Sequence, residues 1–427
     1  MALGFGLFLF LLLFGAPIVF ALGVSSLVIL TMVMDVPVAI VAQRLYAGLD
    51  SFTIMAIPFF VIAGLIMDAG GISRRIVALA DALVGWITGS LLLLSVMAAT
   101  GMGAISGSGS ADTAAISSIM QPEIRRRGYD RDFAAAIIAA GGSLAAIIPP
   151  SLLMVVIASI SNISVGALFL AGIVPGLIAS AGLLGISYLY ARRAGPQYRV
   201  TTPFDRGTLV RTFVNAIPAM GLPVIIVGGI IGGIFTPTEA AAVAVLYGLV
   251  VGIFLHRELK WRVLPRIILR AAAISASVMI ILASASIFSW LVSNARVADS
   301  VGTLLREFSS NPATYLLIVN VLLLVVGMFM ESIAAMLILV PVLMPLAMKY
   351  GVDPVHFALI VVFNLTIGFI TPPYGIALYV AATVAERSIL QVARKVWQPL
   401  LVMISTLLLI TYVPSVGMWL PNLVLRQ

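Results

Sequence analysis

What restricts this chain most is the length of its uncharged runs. No Asp, Glu, Lys or Arg occurs from Met1 to Met34, Phe133 to Ala191, Ala271 to Ala295 or Val396 to Leu425. A helix crosses bilayer hydrocarbon in about 20 residues, so these runs and the shorter ones between them leave room for roughly ten to twelve membrane segments. Of 427 residues, 62% are hydrophobic and 9% charged, whereas soluble domains carry about 25% charged residues. A soluble fold could not cover that much apolar surface, and lipid removes the need. The sequence reads as an all-α polytopic membrane protein.

The 24 Lys and Arg against 16 Asp and Glu give a formal charge of +8. The basic residues gather in short breaks between apolar runs: Arg74-Arg75, Arg125-Arg126-Arg127, Arg192-Arg193 and the stretch Arg257 to Arg270. This is the pattern of cytoplasmic loops and not of a nucleic-acid face. With no cysteine and only His256 and His356, disulfides, iron–sulfur clusters, thiolate catalysis and a His-rich metal site are set aside. The first run has no basic leader and is about twice the usual apolar length of a signal peptide. It reads as a retained span that Gly15-Ala16-Pro17 can break in two. Arg296 near Asp299 reads as interfacial, and Trp290, Trp397 and Trp419 as belt residues.

Two Pro-Pro pairs, Ile148-Pro149-Pro150-Ser151 and Thr371-Pro372-Pro373-Tyr374, stand in similar surroundings. A shift of 223 residues lays Pro149 on Pro372 and also places Gly128 on Gly351, Asp130 on Asp353 and Pro122 on Pro345 without a gap. The chain therefore reads as two halves, 1–191 and 212–427, joined by a polar cytoplasmic linker at 192–211. Arg125 to Arg127 has only Lys349 as its counterpart region's basic residue, an asymmetry that fits repeats inserted in opposite senses, a build found in secondary transporters.

Ser106-Gly107-Ser108-Gly109-Ser110 cannot continue as a stable helix, and the run Gly103 to Ser110 is expected to unwind, with Ser110 or Asp112 capping the next helix. The apolar lengths on either side predict a re-entrant hairpin with its tip near 106–111. Beyond it, Gly141-Gly142-Ser143 and Pro149-Pro150-Ser151 predict a broken helix near 141–151, because two prolines remove two amide donors and free carbonyls. Those carbonyls and the hydroxyls of Ser106, Ser108 and Ser110 make an oxygen cage suited to a small alkali cation, with half-helix ends adding partial charge. The second half repeats the device with a tip near 327–332 and a break near 364–373 that contains Asn364, Thr366, Gly368 and Thr371-Pro372-Pro373. Two sites of one kind are expected.

Three acids stand alone in apolar surroundings: Asp112, Glu239 and Glu331. A charge at such depth costs at least about 2.5 kcal/mol, so it faces a cavity or a partner. Thr236-Pro237-Thr238-Glu239 also matches a capping box, and Asp112 could cap its helix, whereas Glu331 has no evident cap partner. No constellation suited to hydrolysis and no phosphate loop is present, which disfavours an intramembrane enzyme and ATP as the energy source.

With these motifs in view, the chain resembles the large membrane subunit of the tripartite ATP-independent periplasmic (TRAP) transporters, the DctM-like family, from end to end. The carriers are Ser106-Gly107-Ser108 with Ala111-Asp112, Arg127-Gly128-Tyr129-Asp130, Ile148-Pro149-Pro150-Ser151, Ser164 to Phe169, Thr236 to Ala241, Gly327-Met328-Phe329-Met330, Asp353 to Phe357 and Thr371-Pro372-Pro373. The resemblance implies a sodium-coupled importer of organic acids such as dicarboxylates or sialic acid, in the bacterial inner membrane. It implies a small four-helix membrane subunit and a periplasmic binding protein as partners, and no cofactor beyond the coupling Na+. The implied fold is a scaffold with a mobile, elevator-type transport domain of two hairpins and two broken helices. Sodium sites carry over to Ser106, Ser108 and Ser110 with Gly142, Ile148 and Pro150, and to Gly327 with Thr366, Thr371 and Pro372. Asp112, Ser151, Glu239, Glu331 and Asn364 are the candidates for substrate contact or coupling, in a pocket that sodium would form between the two tips. Glu331 stands where family members often have Asp, and Gly109, Ser110 and Thr113 also depart from the usual residues. A stand-alone sodium/carboxylate symporter of similar architecture is the alternative.

Overall fold

The computed structural model describes residues 6–8, 10, 11, 14–34, 37–199, 203–295 and 311–425. Arg296 and Asp299 lie outside the described residues, as do 200–202 of the expected linker. Among the described residues there are helices and turns and no strand, as lipid requires of a chain that does not close a barrel.

In chain order the helices are α1 (Ile18–Val28), α2 (Val38–Ala47), α3 (Ala56–Ala69), α4 (Ile72–Val84), α5 (Ser90–Ser106), α6 (Gly109–Arg126), α7 (Arg131–Ser143), α8 (Leu152–Ser161) and α9 (Val165–Ala194). There follow α10 (Arg206–Ile231), α11 (Pro237–Val250), α12 (Leu264–Asn294), α13 (Pro312–Gly327), α14 (Ser332–Lys349), α15 (Pro354–Gly368), α16 (Ile376–Val384), α17 (Ile389–Tyr412) and α18 (Pro414–Leu425). Gly15, at φ 77°, and the non-helical Ala16-Pro17 precede α1, so the first apolar run is interrupted there.

Among the described residues, six helices are long and apolar enough to cross a membrane, and α3 with α4, bent by 66°, makes a seventh candidate. This is fewer than ten continuous crossings. The reason is physical: the hairpin arms and broken helices divide apolar sequence into pieces too short to pass alone, among them α5, α8, α13 and α15.

The core lies where the two ends of the chain interlock. Every residue from Phe133 to Ser143 in α7 and from His356 to Gly368 in α15 is buried. Helices α16 and α17, late in the chain, pack on α6 and α7, while α8 packs on α14 and α15. Around this body, α3 pairs with α11, α4 with α10, and α12 with α1 and α2. Alanine and glycine dominate α7, which lets neighbouring backbones approach closely where no hydrophobic force separates helix from lipid.

A polar seam ties the two ends at the basic face. The Arg387 guanidinium holds Asp132 with two bonds, Nε to Oδ1 at 2.5 Å and Nη2 to Oδ2 at 2.9 Å. Arg131 donates to the Ala385 carbonyl, and Lys395 lies 3.1 Å from Asp130. Asp130 caps α7 through the amides of Asp132 and Phe133 and accepts the Tyr190 hydroxyl at 2.6 Å. Burial opposes ionisation of Asp130, but the Tyr190 hydroxyl, the Phe133 amide and Lys395 outweigh it and hold its carboxyl below the ordinary range. Asp132→Asn and Arg387→Gln should each lower the unfolding temperature of the detergent-purified protein, and the double variant should lower it no further than the worse single. Additive losses would show that the pair is not coupled.

Candidate functional site

The first tip turns on a single glycine. Gly107, at φ 62°, takes the left-handed conformation that ends α5, and Ser108 is extended before α6 begins at Gly109. The break is therefore two residues long, not the whole stretch Gly103 to Ser110, because one positive-φ residue reverses the chain without unwinding its neighbours. Ser108 occupies the cap position, so neither Ser110 nor Asp112 caps α6. Ser110 sits half-buried in its first turn. Asp112 is turned back across the break: the Ser106 hydroxyl donates to Asp112 Oδ1 at 2.6 Å and accepts the Ser108 amide at 3.1 Å. Asp112 is buried, and among the described residues its Oδ2 has no hydrogen-bond partner. A buried carboxylate oxygen left open in this way marks a place for a cation or a proton.

Facing the tip, α7 gives way to a 3-10 turn, Leu144–Ala146, and then to irregular backbone through Ser151, with the Pro149–Pro150 peptide cis. Ser151 caps α8 and donates to the Ala146 carbonyl at 2.6 Å, satisfying one of the carbonyls the prolines free. Tip and break touch backbone to backbone. A Cβ on Gly107 would lie 2.6 Å from the Pro150 oxygen, and one on Gly109 would lie 3.3 Å from the Gly142 oxygen. These contacts set Ser106 and Ser108, on either side of Gly107, beside Pro150, and Gly109 beside Gly142. The Ile148 side chain lies against Gly176 of α9.

The second tip is built on the same plan. Gly327 ends α13 and meets Gly368 at the end of α15, where a Cβ on Gly368 would lie 2.6 Å from the Gly327 oxygen. The Ser332 hydroxyl donates to the Leu365 carbonyl at 3.3 Å. Beyond Gly368 the chain is irregular until α16, and Pro372–Pro373 is cis. The hydroxyls of Thr366 and Thr371 donate to carbonyls one turn back, Val362 at 2.8 Å and Ile367 at 2.7 Å, which leaves both oxygens able to accept or to coordinate.

Glu331 differs from the expectation that it has no cap partner: it caps α14, accepting the Ala334 amide at 3.1 Å. A first-turn amide suits any acid that precedes it in extended backbone, and the sequence pattern of Ser, Thr, Asp or Asn does not reveal that. Asn364 lies a turn before the break and joins three helices, donating to Asn320 at 2.7 Å and to the Ile360 carbonyl, while Asn320 donates to Thr411 at 3.0 Å. Glu239 is exposed and completes the capping box with Thr236, on a helix packed against α3 and apart from both tips.

A cavity of about 510 Å³ opens beside the first tip. Ser106, Gly107, Ser108, Asp112 and Pro150 form one wall, and Gly64, Asp68 and Ser73 of α3 and α4 with Arg270 of α12 form the other. The space lies between the first tip and the surrounding helices instead of between the two tips. Nothing in the sequence singles out Arg270 for such a position, although Arg262, Arg266 and Arg270 stand at four-residue spacing.

Two tips seated on two broken helices, among long apolar helices, give a multi-pass membrane protein with polar groups at its centre. Residues 5–416 match the family described as Tripartite ATP-independent periplasmic transporter, DctM component. The chain belongs to that family and is a multi-pass inner-membrane protein. It is 38% identical over 434 residues to the C4-dicarboxylate TRAP transporter large permease protein DctM of Rhodobacter capsulatus, covering 98% of each chain. It is 36% identical over 415 residues to the sialic acid TRAP transporter large permease protein SiaM of Vibrio cholerae serotype O1, covering 97% of each. It is 42% identical over 419 residues to the isethionate TRAP transporter permease protein DctMQ of Oleidesulfovibrio alaskensis, covering 97% of this chain but only 65% of that protein. The fold is also similar to the Alcanivorax borkumensis YdaH transporter, with a TM-score of 0.56 at 16% identity, over 88% of this chain and 86% of that one.

Gly368→Ala should cost about 1–3 kcal/mol, because its methyl meets backbone that cannot give way. Gly185→Ala, where nothing lies within 4 Å, should be neutral or stabilise α9 by up to about 1 kcal/mol. Thermal unfolding of the two variants in detergent makes the comparison, and equal shifts would refute the contact.

Proposed function

We propose that this permease imports a small organic acid anion, driven by sodium, after a periplasmic binding protein delivers it, and that it works with a small membrane subunit. The observation that supports this best is the repeated junction in which a hairpin tip meets a helix break through glycines, with hydroxyl and carbonyl oxygens on both sides. Hard oxygen ligands and half-helix ends favour a small cation. Ser106, Ser108, Ser110, Gly142, Ile148 and Pro150 would hold one sodium, and Gly327, Thr366, Thr371 and Pro372 a second. Asp112, Ser151 and Glu331, beside the tips, would link cation to substrate. The relatives' substrates, C4-dicarboxylate, sialic acid and isethionate, are all organic anions.

In this reading the two halves are inverted repeats, and the interlocked body of hairpins and broken helices moves as an elevator against α1–α4 and α10–α12. Sodium closes each tip on its break and satisfies carbonyls that would otherwise face lipid unpaired, at several kcal/mol each. Loaded carriers therefore move and half-loaded ones stay.

Uptake into proteoliposomes containing this chain and its small subunit should require both the binding protein and an inward sodium gradient, and should depend sigmoidally on sodium. Uptake without sodium, or a hyperbolic dependence, would sink the two-ion reading. Ser108→Ala should raise the half-saturating sodium concentration several-fold, while Ser277→Ala, at an exposed position of α12, should leave it unchanged.

A further inference from the structure

The cavity beside the first tip has three ionisable side chains on its walls: Asp68, Asp112 and Arg270. Each acid has one oxygen engaged by a hydroxyl, Asp68 Oδ1 by Ser73 and Asp112 Oδ1 by Ser106, both at 2.6 Å. Arg270 is exposed, and like Arg262 and Arg266 it has neither an ion-pair partner nor a hydrogen-bond acceptor among the described residues; unlike them it lies on the cavity wall.

Arg262 lies in the 3-10 turn Trp261–Val263 that precedes α12, whereas Arg266 and Arg270 share one face of α12, since residues four apart stack along a helix. Arg270 is about 6 Å further along the axis than Arg266 at 1.5 Å per residue, and of the three arginines it is the one on the cavity wall. Arg270 faces a space large enough for a small ligand with a planar fork of donors and no acceptor.

We propose that Arg270 receives the anionic group of the substrate in this cavity on the cytoplasmic leg of transport, pairing with a carboxylate or sulfonate through two parallel N–H bonds. This rests on the organic-acid reading above.

The test is counterflow in proteoliposomes carrying the intact permease pair, with succinate, N-acetylneuraminate and isethionate as probes. For the anion that wild type accepts, Arg270→Gln should raise the internal-side KM about tenfold, as expected for loss of a charge-assisted pair. Arg270→Lys should recover part of that loss. The KM for uptake from the loaded binding protein should change less than about twofold, since delivery on that side does not depend on the cavity. Arg266→Gln, which alters the basic stripe but not the cavity wall, should behave as wild type. If Arg270→Gln leaves the internal KM unchanged, or Arg266→Gln raises it equally, Arg270 is only an interfacial anchor and the proposal fails. If wild type accepts none of the three anions, the organic-acid reading fails and the proposal falls with it.

Discussion

Irregular backbone at membrane depth has to be covered by protein, because lipid offers no hydrogen bonds. Everything central in this structure answers that demand. The chain breaks helices at Gly107, at Pro149-Pro150, beyond Gly327 and at Pro372-Pro373, and each exposed end is placed against another exposed end. Ser151 turns a hydroxyl onto the Ala146 carbonyl, Ser332 reaches the Leu365 carbonyl, and Ser106 bridges its own tip to Asp112. Burial of α7 and α15 on all sides is the packing consequence.

The same demand explains why small residues recur where they do. Gly107 and Gly368 lie within contact of a carbonyl oxygen across the junction, so a side chain at either would push the break open. The tips are held by shape and by shared hydrogen bonds more than by hydrophobic burial, which acts weakly between apolar helices in lipid.

The hairpins, the broken helices and the capping box at Thr236 are legible in the sequence because glycine, proline and the Thr-x-x-Glu spacing act locally. Residues a few positions apart decide those features. Asn364 is misplaced by its sequence surroundings for the opposite reason: its partners Asn320 and, through it, Thr411 come from helices distant in the chain, and nothing at position 364 names them. Glu331 shows its depth in the sequence but not its cap, which depends on the extended backbone before α14. Arg270 looks like one more basic residue of a loop, and only the packing of α12 beside the first tip puts it on a cavity wall. The seam of Asp132 with Arg387 joins positions 255 residues apart, beyond the reach of any periodicity.

The interlock has a consequence for how the chain is made. Helices α6 and α7 leave the ribosome long before α16 and α17, which cover them, and α7 is alanine-rich with every residue from Phe133 to Ser143 destined for burial. Until α16 and α17 are synthesised, the faces of α6 and α7 that they cover have no lid from their own polypeptide. Membrane insertion must therefore hold a half-built polar junction open in the bilayer, or in the care of the insertion machinery, and a truncation near position 375 would strand it there.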